Sequence, residues 1–211
     1  MTRFSACILL AACGGSTTSY SGHSTYEYLP LDGERSWSYV SADETEERRL
    51  EVEKVESSRE DGIEVVVLEY SWFDPAETLA SISWSSDAIK GIQIHGYGLS
   101  GDVGTDFETP VQVAEYKMLP GEELTTATDG LEFLSIFHGV EDCPNEWIRD
   151  DQDAWECLHF TVSEAGGGSG IPFIGEWWVA NTWGASRFIA EEGPFSNANA
   201  WVLSGAEWTG E

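Results

Sequence analysis

The feature that most constrains this chain is a rhythm of short apolar runs punctuated by turn residues. Segments rich in β-branched and aromatic residues recur between Gly, Asp and Ser clusters, and none carries the i, i+4, i+7 stripe of an amphipathic helix. The clearest is 63–72, IEVVVLEYSW. Before it, 46–57 (EERRLEVEKVES) places Leu50 and Val52 two apart with Val55 out of step, which predicts a charged strand with a bulge. Arg59-Glu60-Asp61-Gly62 supplies the turn of a long hairpin. A second hairpin is expected from 80–84 (ASISW) and 88–97 (AIKGIQIHGY), turning at Ser85-Ser86-Asp87. Residues 36–40 form an opening strand. Residues 98–110 read as loop, 111–120 as a strand ending at Pro120, and 131–138 (LEFLSIFH) as a strand or one short helix. Residues 155–162 add a strand, AGGGSGIP reads as a flexible break, and 174–190 with 199–208 form a final antiparallel pair or trio. About nine strands at this spacing predict an all-β fold, either an antiparallel sandwich or a strongly curved sheet. Residues 27–211 are long enough for one domain around one core.

Composition narrows the partners. Ten Trp argue against a disordered chain. Acidic residues number 38 against 10 basic ones, for a net charge of −28, so a phosphate backbone would be repelled and nucleic acid is not an expected partner. With only three Lys, the surface is nearly all carboxylate, which keeps a protein soluble in salt whatever its role. There is no run of 18 apolar residues of the kind a transmembrane helix needs.

The first residues, MTRFSACILLAACGGS, have the layout of an export signal: a basic Arg3, a short apolar stretch over Phe4–Leu10, then small residues. Leu10-Ala11-Ala12-Cys13 resembles the lipobox of bacterial lipoproteins. In that family the thiol of the Cys is joined to diacylglycerol, the signal is cleaved before it, and the new amino terminus is acylated. The resemblance implies that residues 1–12 are a signal peptide and that palmitate-type chains on Cys13 hold the protein at a membrane. Each buried methylene contributes about 0.8 kcal/mol, so several chains hold stably where one would not. Gly14 rather than Asp follows the Cys, which by the same resemblance implies the outer membrane of the cell envelope. Residues 13–26 then comprise the lipidated Cys and a Gly/Ser/Thr-rich tether with an r.m.s. span of roughly 20 Å. The competing reading of this segment is a buried N-terminal strand with a chance Cys.

Of four Cys, Cys7 leaves with the signal and Cys13 carries lipid. Export puts Cys143 and Cys157 in an oxidising compartment, where a structural disulfide is expected. Its loop of about 15 residues would stabilise the fold by roughly 3 kcal/mol on the loop-entropy model.

Beyond the signal, Tyr28–Tyr39 reads YLPLDGERSWSY and resembles the opening motif P-L-x-x-G-x-x-W-x-Y of uncharacterised secreted β-rich bacterial proteins. Leu119-Pro120-Gly121 is similar to a second turn of that set. Gly175–Gly184 (GEWWVANTWG) is similar to its closing strand and turn, and Trp201-Val202-Leu203 to its last strand. The resemblance implies a β-rich lipoprotein without a known catalytic residue.

No catalytic motif stands out. Ser100, Ser169 and Ser186 all lack the paired Gly of a nucleophile elbow, and AGGGSG lacks the Lys-Ser/Thr of a phosphate cradle. His23, His95, His138 and His159 are spread singly and read as surface or strand residues. Asp150, Asp151 and Asp153 offer three hard oxygen donors in four residues, enough for weak Ca²⁺ binding or simply a solvated turn; no other cofactor is implied. Exposed Trp faces stack on sugars and apolar ligands, so Trp177, Trp178, Trp183 and Trp201 are the ligand-binding candidates. Adjacent strand residues point to opposite faces, so Trp177 and Trp178 separate inside from outside. The leading expectation is a lipid-anchored envelope protein acting as a non-enzymatic interaction or structural module, its protein or glycan partner unknown. The alternatives are a binding module that takes a glycan or acyl chain on its Trp face or in its interior, and a hydrolase using carboxylates.

Overall fold

The computed structural model describes Thr25, residues 28–29, 31–42, 49–60, 62–100, 104–144, 156–168, 170–181 and 183–208. Twelve strands follow one another: β1 (Arg35–Ser41), β2 (Arg49–Glu60), β3 (Ile63–Trp72), β4 (Glu77–Asp87), β5 (Gly91–Leu99), β6 (Thr105–Ala114), β7 (Glu123–Thr128), β8 (Leu131–Asp142), β9 (Glu156–Glu164), β10 (Gly175–Ala180), β11 (Gly184–Ala190) and β12 (Trp201–Trp208), with a 3-10 turn at Gly193–Phe195. All pair antiparallel in a single sheet whose order runs β6 to β1, then β12 to β7. The fold is therefore all-β and strongly curved, as the rhythm predicts, with twelve strands instead of about nine.

Both strands at the edges of this order, β6 and β7, curl round to meet each other. They meet without a backbone ladder. Thr126 Oγ1 accepts the Gln112 N–H at 3.1 Å, Thr128 Oγ1 accepts that of Thr109 at 3.0 Å, Asp129 Oδ2 accepts that of Glu108 at 3.1 Å, and Ser135 Oγ donates to Val113 O at 2.6 Å. Side chains thus satisfy edge groups that would otherwise template another strand. The result is a nearly closed up-and-down barrel.

Eight strands already enclose a space that side chains just fill, so twelve need larger ones. Trp84 of β4 meets Trp177 of β10 across the interior at 5.8 Å, Trp72 meets Trp201 at 5.6 Å, and Tyr39 meets Phe188 at 5.3 Å. The aromatic composition is the material that brings two walls of a wide barrel into contact. One core results, with Trp201, Phe133, Phe137, Phe160 and Phe188 wholly or almost wholly buried.

Alternate turns lie at opposite ends of such a barrel. The end where the chain enters β1 is here the proximal end; it also carries the β2–β3, β4–β5, β6–β7, β8–β9 and β10–β11 turns. Tyr28, Leu29 and Leu31 pack into the core there, and Thr25 donates to Glu115 O at 3.1 Å. The distal end is closed by the β9–β10 connection, which inserts Ile171, Phe173 and Ile174. Read from the sequence as a flexible break, that connection is packed inward and tied down: Gly170 N–H donates to Glu192 at 2.9 Å, and Phe173 O accepts from Trp177 Nε1 at 3.1 Å.

Other boundaries also move. The β4–β5 turn is at 88–90, three residues beyond Ser85-Ser86-Asp87, because Asp87 Oδ1 accepts the Ile89 and Lys90 N–H groups at 2.6 and 2.9 Å. β6 takes in 105–110, which reads as loop in the sequence, and stops at Ala114 instead of Pro120. β7, ELTTAT, is a strand without an apolar signal to announce it. Residues 131–138 are strand, and the expected bulge in β2 falls at Val55, where the β2–β3 register slips between Lys54 and Glu56.

Candidate functional site

The four candidate Trp do not converge. Trp177 and Trp201 are core residues, 2% and 0% exposed. Trp178 lies on the outer face, as alternation requires, but it is covered. His159 stacks on it at 4.4 Å and 15°, the Arg187 guanidinium sits 5.3 Å from its ring, and its Nε1 donates to Glu141 at 2.6 Å. Of the four, Trp183 is the exposed one, at 42%. Among the described residues, the space between Trp37, Tyr70, Trp84, Phe160 and Trp177 is about 20 Å³, the size of a single water. Rings in contact, Trp84 on Trp177 across the barrel and Trp177 on Phe188 beside it, keep that space small.

The outer face carries a constellation that no single stretch of sequence reveals. His138 (β8), His159 (β9), Trp178 (β10) and Arg187 (β11) form a stacked ladder across four neighbouring strands, the two imidazoles 4.4 Å apart. Carboxylates bracket it. His159 Nε2 lies 2.7 Å from Glu176 Oε1, and Nδ1 lies 3.1 Å from Glu141 Oε1. Burial, then the neighbouring His159, holds the His138 imidazole below its usual value, against the opposing pull of Glu176 and Glu141. His138 Nε2 is paired with Thr161 Oγ1 at 2.7 Å. Every ring in the ladder is spoken for by a neighbour, so it fastens β8 to β11 from outside. Among the described residues no group of three or more His, Cys, Asp or Glu is placed to hold a metal ion.

Below the ladder Cys143 and Cys157 are joined, with Cα atoms 5.0 Å apart, and pack with Trp178 and Ala180 in a small second cluster. The loop they close, with Asp150, Asp151 and Asp153, lies outside the described residues, as do Cys13 and residues 1–24.

Elsewhere, the outer surface of β2 to β6 forms a groove of about 480 Å³. Ile63, Val65 and Val67 form its apolar floor, Glu56, Asp106 and Glu108 its acidic margin. His95 stands in it, bonded to Ser85 at 2.8 Å.

No family and no curated protein matches this chain. Among solved structures it pairs with a candidate lipoprotein from Parabacteroides distasonis, at 11% identity and a TM-score of 0.43, over 85% of this chain and 98% of that one. A likeness at that level leaves the functional reading to the chain's own residues.

Proposed function

We propose that this protein is a lipid-anchored component of the cell envelope, held through Cys13, whose barrel works by surface contact as a non-catalytic interaction module. The observation that carries the reading is the pairing of Leu10-Ala11-Ala12-Cys13 with a body packed around one aromatic core. The small space between Trp37, Trp84 and Trp177 supports recognition by the outside of the barrel. An oxidising compartment also suits the Cys143–Cys157 bridge. The outer membrane is the proposed site of anchoring, from Gly14 after the lipid-bearing Cys.

Labelled palmitate fed to cells is expected to enter the wild-type protein and to be lost from Cys13→Ser, which then leaves the membrane fraction. Equal labelling and unchanged fractionation of Cys13→Ser would refute the anchor. A glycan remains the second reading because Trp183 is exposed at the surface. On a glycan array, binding that Trp183→Ala abolishes would establish it, and a blank array would remove it.

A further inference from the structure

Among the described residues, the exposed large apolar ones are unevenly placed. Val55 marks the β2 bulge and Phe73 a distal turn, but the other three gather at one end: Ile89 is 87% exposed, Leu119 57% and Trp183 42%. They sit at the tips of the β4–β5, β6–β7 and β10–β11 turns, which share the proximal end with the start of β1. Their exposure is built in. Asp87 holds the turn that points Ile89 outward, and Gly91 behind it approaches β6 so closely that an added Cβ would lie 2.1 Å from Ala114 O. Leu119-Pro120-Gly121-Glu122 is a β-turn, with Leu119 O accepting Glu122 N–H at 3.0 Å and Gly121 at φ 87°. Trp183 N–H donates to Ala180 O at 3.2 Å, and its own carbonyl accepts Trp37 Nε1 at 2.7 Å. Lys90 and Lys117, both exposed, stand beside two of these tips in a chain with three Lys in all.

The same end holds the upstream chain. Thr25 is buried against the β6–β7 connection, which leaves the Gly/Ser/Thr-rich residues 14–24 between Cys13 and the barrel. Eleven such residues have an r.m.s. reach of roughly 18 Å, shorter than the sequence suggests. From these placements we infer that the proximal end is an interfacial surface: Ile89, Leu119 and Trp183 dip into the lipid headgroup region to which Cys13 is tied. This inference rests on the anchor proposed above. An indole favours the boundary between headgroups and hydrocarbon, aliphatic tips bury just below it, and Lys ammonium groups reach lipid phosphates from beside them. Three side chains alone would bind a bilayer weakly. A short tether raises their effective concentration at the surface until weak contacts are populated. The carboxylate-rich body restricts the partner to zwitterionic lipid, because an anionic bilayer repels it.

The test separates the surface from the natural anchor. The chain from Cys13 on contains every described element. Its Cys13 thiol is coupled to a maleimide lipid on phosphatidylcholine vesicles containing brominated acyl chains, which quench nearby indoles. The expected result is quenching in the wild type that falls several-fold in Trp183→Phe and in Ile89→Ser/Leu119→Ser, both surface changes. Absent quenching, or quenching equal in wild type and both variants, would overturn the inference. Because coupling here is chemical, neither result depends on palmitate incorporation in cells, and loss of that labelling in Cys13→Ser bears on the anchor alone.

Discussion

The two ends of the barrel are closed by the same device and finished differently. Each is plugged by a connecting segment that sends aromatic and aliphatic side chains inward: Tyr28, Leu29 and Leu31 at the proximal end, Ile171, Phe173 and Ile174 at the distal end. The apolar residue exposed at a distal turn, Phe73, is covered on one face by the Arg49 guanidinium at 4.6 Å. At the proximal end Ile89 and Leu119 stand bare. A barrel needs both plugs to stay dry, but it has no structural need for bare tips. The difference separates what the fold requires from what a contact surface requires.

The plugs give the sharpest test of that comparison. Phe173 contacts Phe107, Phe133 and Tyr97, ring to ring, within a connection tied to Glu192 and Trp177. Phe173→Ala is expected to cost about 3–5 kcal/mol of global stability in denaturant titrations. Tyr28→Ala removes a ring just as deeply buried, but from the segment that enters the barrel ahead of β1 and outside the strand ladder. Its cost is expected to be smaller globally and to show instead as faster amide exchange around Leu31. Equal global losses would mean that the proximal segment is as integral as the distal one.

Next in size is the bridge at the proximal end. Cys143→Ser/Cys157→Ser is expected to lower stability by about 3 kcal/mol, as is reduction of the wild type. A midpoint unmoved by reductant would show that the stacked ladder of His138, His159, Trp178 and Arg187 holds these strands unaided.

Smaller again is a pH effect from the core that both ends share. Burial raises the Tyr39 hydroxyl well above its ordinary 10.0 and raises Tyr70 too, so the folded state keeps protons that the unfolded chain sheds. The unfolded state then binds fewer protons above pH 10, and stability falls as pH rises from there. Tyr39→Phe is expected to flatten that fall, at a cost near neutrality of about 1 kcal/mol for the lost bond to Ala185 O. Parallel pH curves for the variant and the wild type would contradict this.

Much of the architecture is legible in the sequence because it depends on local pattern. Val55 out of phase in a charged run marks the bulge. Trp177 and Trp178, adjacent, do divide between core and exterior. What escapes reading depends on distant partners. ELTTAT has little apolar signal because β7 is an edge whose Thr hydroxyls serve β6 amides, a role visible only once the barrel closes. AGGGSGIP looks flexible because its glycines dominate, yet Ile171 and Phe173 anchor it. His138 and His159 meet because β8 and β9 pair with a slip between Phe137 and Gly139, and register cannot be read from one strand alone. The exposure of Trp183 depends on turn geometry in the same way.

The most direct test of the whole account is hydrogen exchange on the lipid-coupled protein, with and without phosphatidylcholine vesicles. Vesicles are expected to slow exchange in turns 88–90, 116–121 and 181–183 while leaving 73–76 and 165–174 unchanged. Protection at the distal turns, or at neither end, would contradict a barrel that stands on its membrane by the end from which its tether leaves.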